Sequence, residues 1–261
     1  MMLHYDIYQK NKTSDWIVLL HGLGGNSRIW YKQKRELIKQ FNVIFVDLHG
    51  HGKSKIPVSE FKHHEIEDIA KDVLNILDSL GIRKAAFMGV SLGSIVARAI
   101  GLIASERVRF FILVGAVLKF NFFSNCLLKI GGMFKGIMPY MWLYKLFALI
   151  MMPKKNHKNS RSIFVREAVK LGREEFLFWF NLAKKVNPFH SKVKSANLSI
   201  PTQYIMGNED HMFVSIVKKE MNQAQNTCLS VIQNSGHLCN IEKPEEFNSL
   251  AIEYIKNQFK N

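Results

Sequence analysis

The stretch Gly89-Val90-Ser91-Leu92-Gly93 constrains this chain more than any other. Ala85-Ala86-Phe87-Met88 before it is a short apolar run of strand type, and Ile95, Val96, Ala99, Ile100 and Ile103 after it recur at helical spacing. A strand that passes straight into a helix must turn sharply. Glycines two residues either side of the serine remove the side chains that would collide in such a turn. The serine at the apex is then presented above the sheet, and the backbone N–H of Leu92 points at whatever its hydroxyl attacks. The bland alternative is a tight turn whose serine only caps the following helix. The strand before and the helix after favour the nucleophile.

The rest of the chain repeats the alternation. Trp16-Ile17-Val18-Leu19-Leu20 is continuously apolar, as expected of a strand buried on both faces, and stops at the glycine-rich His21-Gly22-Leu23-Gly24-Gly25. Asn26 or Ser27 is placed to cap a helix running to about Gln40. Val43-Ile44-Phe45-Val46 is the next strand, followed by Asp47 and the polar turn His49-Gly50-His51-Gly52-Lys53-Ser54. Ile66, Ile69, Ala70, Val73, Leu74 and Leu77 then mark an amphipathic helix. Further strands are expected at Val108 to Val114, Thr202 to Met206 and Cys228 to Ile232, with a helix from Phe213 to Asn222 and a closing helix from Pro244. Such alternation signals a mostly parallel sheet covered by helices.

From Val117 to about His190 the rhythm breaks into a run crowded with Phe, Met, Tyr and Trp, followed by one or two helices between Ile163 and Val186. Between Glu106 and Glu167 there is no acidic residue but there are eleven basic ones, so much of the net charge of +15 sits here. The apolar run from Ile137 to Met152 is interrupted by Pro139 and Lys145 and is too short for a transmembrane helix. At the N-terminus Met1-Met2-Leu3-His4-Tyr5-Asp6 shows no secretory pattern. Cys126, Cys228 and Cys239 are odd in number and irregularly spaced, which suggests reduced thiols and a cytoplasmic protein rather than a disulfide framework.

Ser91, Asp210 and His237 each fall just past an expected strand, in the order serine, acid, histidine. Serine is a poor nucleophile until a histidine takes its proton, and a carboxylate must orient that histidine. With these motifs the chain resembles the α/β-hydrolase superfamily over essentially its full length: an α/β protein with a mostly parallel central sheet flanked by helices and a helical cap insertion. The resemblance implies an oxyanion hole from the Leu23 and Leu92 amides, a structural turn at Asp47 to Ser54, and the acid and base at Asp210 and His237. It also implies a core of residues 1–116 and 191–261 with a cap at 117–190. Glu209 is the alternative acid. His21 and Asp47 are expected to support loops, and Cys239 to be a small buried residue near the pocket. His49, His51, His63 and His64 are read as loop histidines rather than metal ligands, so no metal and no cofactor is expected. The loop at 22–25 lacks a dinucleotide-binding spacing.

Serine at the elbow, where haloalkane dehalogenases and epoxide hydrolases of the superfamily carry aspartate, points to acyl transfer on an ester, thioester or amide. Carbon–carbon bond hydrolysis, prolyl aminopeptidase and perhydrolase chemistry use the same three residues and stay open, as does a non-catalytic binding role for the fold. Phe120, Met138 and Trp142 are expected to line an apolar acyl pocket. The expected partner is a small-molecule ester. The basic, apolar stretch adds peripheral contact with an anionic membrane, at its inner face; a homodimer stays open, and no nucleic-acid motif is present.

Overall fold

The computed structural model describes residues 2–134, 138–196, 199–221 and 226–260. Seven strands form one sheet: β1 (Tyr5–Tyr8), β2 (Trp16–Leu20), β3 (Asn42–Val46), β4 (Ala85–Val90), β5 (Val108–Val114), β6 (Thr202–Gly207) and β7 (Thr227–Ile232). Their order is β1-β3-β2-β4-β5-β6-β7. All neighbours run parallel except β1, which pairs antiparallel with β3 at one edge. That edge strand was not legible: Tyr5-Asp6-Ile7-Tyr8 alternates too briefly, and none of the four is fully buried. The apolar runs of β2, β3 and β4 are buried almost throughout, as strands covered on both faces must be.

The helices are α1 (Tyr31–Ile38), α2 (Val58–Phe61), α3 (Ile66–Ser79), α4 (Leu92–Ile103), α5 (Phe122–Phe134), α6 (Tyr140–Met151), α7 (Lys158–Ala168), α8 (Arg173–Ala183), α9 (Val186–Ser195), α10 (Val214–Met221), α11 (Cys239–Glu242) and α12 (Pro244–Lys260). Consecutive residues of β5 show how they cover the sheet. Phe110 meets Tyr254 and Phe259 of α12 edge-on, while Phe111 presses on Gly101 of α4. Side chains alternate across a strand, so α12 and α4 lie on opposite faces.

The helix expected from Asn26 or Ser27 divides in two. Asn26 caps a 3-10 turn at Ser27–Trp30 by accepting from the Arg28 amide, and α1 follows. The helix α3 opens on a capping box between Glu65 and Asp68. Among the described residues five helices, α5 to α9, stand between β5 and β6 where the strand rhythm is lost. The boundary expected at 190 falls inside α9, which packs against α4. Among the described residues no helix is long and apolar enough to cross a membrane. Lys135 and Ile137, in the apolar stretch, and Asn222, at the expected end of α10, lie outside the described residues.

Register places the loops. Leu20 of β2 stands opposite Val46 of β3 and Gly89 of β4, Val90 opposite Val114 of β5, and Gly207 of β6 opposite Ile232 of β7. The carboxyl ends of these strands therefore share one edge, where ligands of open parallel sheets collect.

Candidate active site

Ser91 sits at that edge with φ 52° and ψ −112°, a strained geometry for a residue with a Cβ. The turn is possible only because its flanks are glycine. A Cβ on Gly89 would stand 2.3 Å from the Gly93 carbonyl oxygen, and one on Gly93 would stand 2.2 Å from that of Leu20. The Ser91 side chain makes no capping hydrogen bond to α4, so the bland alternative of a capping serine does not hold. Instead Ser91 lines a cavity of about 340 Å³.

The loop after β2 meets this turn at Gly22, whose missing Cβ would lie 3.3 Å from that of Ser91. Leu23 and Leu92 both line the cavity beside Ser91. Neither amide enters a turn, loop or cap hydrogen bond among the described residues. Two neutral histidines hold the loop against the 47–54 turn. His21 Nδ1 donates to the Gly22 carbonyl at 2.8 Å, and its Nε2 accepts from the Leu48 amide at 2.9 Å. His51 Nε2 accepts from the Gly24 amide at 2.9 Å, and its Nδ1 donates to the His49 carbonyl. Burial lowers both pKa values, that of His51 furthest because His21 is its neighbour. The uncharged form is the one these bonds require. Asp47 accepts from the Ser27 and Lys53 amides at 2.7 and 2.9 Å, which gives it the expected supporting part.

Asp210 and His237 follow β6 and β7 and are both fully buried. Asp210 Oδ2 lies 2.8 Å from His237 Nδ1, while His237 Nε2 has no hydrogen-bond partner among the described residues. The pair thus leaves one ring nitrogen unspent. Glu209, the alternative acid, is used elsewhere. It accepts from Lys154, Asn156 and His157 of the inserted segment, each at 2.8 Å. Hydrogen bonds from Asn156 and Lys154 hold its pKa down to about 2. Glu242 similarly accepts from Ser160 Oγ and the Gly236 amide, both at 2.6 Å, so the segment after α6 braces the loop that carries His237.

The cavity walls come mainly from the segment between β5 and β6 and are apolar. Phe120 and Met138 line it, as expected. Trp142 does not: it is 66% exposed and points outward from α6. The reason is helical phase, since Leu143, Phe147 and Ile150 occupy the inward face. Met212, Phe213 and Tyr144 line the site without having been singled out as pocket residues. The Phe213 ring lies tilted 5.5 Å from the His237 ring, and Tyr144 donates its hydroxyl to the Leu23 carbonyl at 2.8 Å. Nothing in the sequence separates Tyr144 from the other aromatic residues of its run.

Two of the loop histidines share an acid. No acid at ligand spacing was expected beside His49 and His64, yet Asp72 of α3 places Oδ2 3.0 Å from His49 Nε2 and 3.3 Å from His64 Nε2. The three ligand atoms lie within 4.8 Å of one another, a donor set and spacing that would suit a divalent cation. None of these residues lines the cavity. Cys239 is fully buried, and burial raises its thiol pKa, so it is a packing residue.

The comparisons agree with this architecture. The family model described as alpha/beta hydrolase fold matches residues 15–143. The chain is 25% identical over 249 residues to 3-oxoadipate enol-lactonase 1 of Acinetobacter baylyi, which covers 92% of this chain and 88% of that one. A hydrolase from Oleispira antarctica superposes with a TM-score of 0.84 at 21% identity, covering 98% and 95% of the two chains. A carboxylesterase structure from Nitrososphaera gargenis superposes with a TM-score of 0.78 at 21% identity, covering 98% and 95%. From strand order, elbow geometry and these likenesses together, the chain has the α/β-hydrolase fold.

Proposed function

We propose that this chain is a serine hydrolase that cleaves carboxylic esters bearing apolar acyl chains through an acyl-enzyme on Ser91. The observation that carries the reading is the buried Asp210–His237 pair with a free Nε2, together with an elbow serine at the edge of an apolar cavity. His237 Nε2 takes the Ser91 hydroxyl proton as Oγ bonds to the ester carbonyl carbon. The carbonyl oxygen becomes an oxyanion facing the Leu23 and Leu92 amides, each such donor being worth about 3 kcal/mol of barrier. His237 then returns the proton to the departing alkoxide, leaving an alcohol and the acylated serine. A water activated by the same nitrogen releases the acid. Asp210 holds the imidazole in the tautomer this needs and stabilises its charged form.

The insertion at 117–190 acts in this reading as a cap that forms the acyl pocket. An enol-lactonase and a carboxylesterase are among the similar proteins, and a lactone is a cyclic ester, which supports ester cleavage here. Labelling by a fluorophosphonate probe tests it. The folded wild-type chain should be labelled, Ser91→Ala should not, and a panel of p-nitrophenyl esters should be turned over by the wild type alone. Equal turnover by Ser91→Ala would overturn the mechanism.

A further inference from the structure

The outer faces of α5 and α6 carry Phe122, Phe123, Ile130 and Met133 on one helix and Trp142, Leu146 and Leu149 on the other. All are exposed, Phe122 by 86%, although large apolar side chains in a soluble fold are normally buried. On α6 the spacing Trp142, Leu146, Leu149 follows one helical face, opposite the buried Tyr144, Ala148 and Met151. The same helices form the cavity wall. Ile130, Phe134 and Leu146 are at once exposed on the patch and part of the cavity lining, so the cavity reaches the surface between α5 and α6. Lys129 and Lys145 stand exposed among these side chains and make no ion pair among the described residues. No acidic residue occurs from Arg107 to Arg166.

We infer that this face docks on an anionic lipid bilayer, with the cavity mouth turned toward the acyl region, and that the substrate is an ester drawn from the membrane. Phe and Trp belong at the boundary between headgroups and acyl chains, and lysines beside them are attracted to anionic headgroups. A second protein copy would bury the apolar side chains but would set unpaired lysines of one copy against those of the other. An anionic surface satisfies both features at once. Docking itself is independent of the proposed ester chemistry; only the membrane origin of the substrate rests on it.

The test uses the full chain and vesicles of equal parts phosphatidylcholine and phosphatidylglycerol. The protein should sediment with them, and far less with phosphatidylcholine alone or in molar salt. Trp142 is the exposed member of the four tryptophans, so its emission should shift to the blue and be quenched by brominated lipid, and Trp142→Phe should lose both signals. Phe122→Ser with Phe123→Ser, and separately Lys129→Glu with Lys145→Glu, should weaken vesicle binding at least tenfold while turnover of a soluble p-nitrophenyl acetate stays unchanged. Ser91→Ala should bind vesicles as the wild type does, which separates a failure of docking from a failure of the hydrolase reading. Vesicle binding indifferent to both double variants would overturn the inference. So would a dimer seen by light scattering that Phe122→Ser with Phe123→Ser dissociates, in a chain that ignores vesicles: the occupant would then be a second copy.

Discussion

The Tyr144 hydroxyl, on the inserted helix α6, donates to the Leu23 carbonyl at 2.8 Å and so ties the cavity wall to the loop beside Ser91. The contact is built in from both sides. Gly24 has φ 72°, and a Cβ there would stand 2.3 Å from the Tyr144 oxygen. A helix of the cavity wall thereby also holds the loop that carries the Leu23 amide. Tyr144→Phe keeps the ring packed on Phe164, at 4.6 Å, and removes only the hydroxyl. Loss of one hydrogen bond of about 1 kcal/mol should lower kcat about fivefold with little change in KM, as read from ester hydrolysis at saturating substrate. A rise in KM alone would assign Tyr144 to substrate binding instead.

The two neighbouring acids should separate cleanly. Asp210→Asn removes the partner of His237 Nδ1 and should cost on the order of 10⁴ in kcat, as for a misoriented base. Glu209→Gln breaks contacts to Lys154, Asn156 and His157 rather than to His237, so its kcat should fall by about tenfold at most. Steady-state kinetics on the two purified variants decides it. The reverse ranking would reassign the acid to Glu209.

Glu209 should instead show itself in acid stability. Its folded pKa is about 2 against an ordinary 4.5, so the folded state binds its proton less readily than the unfolded chain. Its stabilising contribution is fully present above the ordinary carboxylate value and is lost as pH falls from there toward 2. The melting temperature of Glu209→Gln should lie a few degrees below wild type at neutral pH, about 2–4 °C per kcal/mol lost, and the gap should close on acidification. Calorimetry across that window would reveal a constant gap if the contacts were merely steric.

Glycine 93 serves the turn through space, and Gly81 serves through conformation alone. A methyl at Gly81, with φ 67°, meets nothing within 4 Å, so Gly81→Ala should cost about 1–2 kcal/mol by denaturant titration. A methyl at Gly93 meets backbone at 2.2 Å, so Gly93→Ala should cost about 3 kcal/mol or more, or abolish folding. Equal costs would mean that the elbow gives way.

Acyl-chain preference follows from the cavity walls. Each buried methylene contributes at most about 0.8 kcal/mol, so kcat/KM should climb up to about fourfold per carbon and then level where the cavity ends. Rates on p-nitrophenyl esters of graded length measure this. A flat series would reduce the apolar lining to packing.

The strand-to-helix alternation, the elbow and the positions of Ser91, Asp210 and His237 were legible in the sequence, because each rests on local pattern. Apolar runs mark buried parallel strands, and glycines at fixed offsets mark a turn that only they permit. Contacts between segments distant in the chain were not. That Glu209 is spent on Lys154 and His157, and that Tyr144 reaches Leu23, depend on how the helices between β5 and β6 pack, and residues about 50 or 120 apart leave no local trace. Composition marked Phe120, Met138 and Trp142 alike as apolar, but Phe120 and Met138, just outside α5 and α6, line the cavity, while the phase of α6 turns Trp142 outward. The sequence by itself determined the fold and the order in which Ser91, Asp210 and His237 follow its strands; the tertiary structure decided which acid meets the histidine and which apolar side chains line the cavity or face solvent, because burial and pairing are properties of surfaces that only folding brings together.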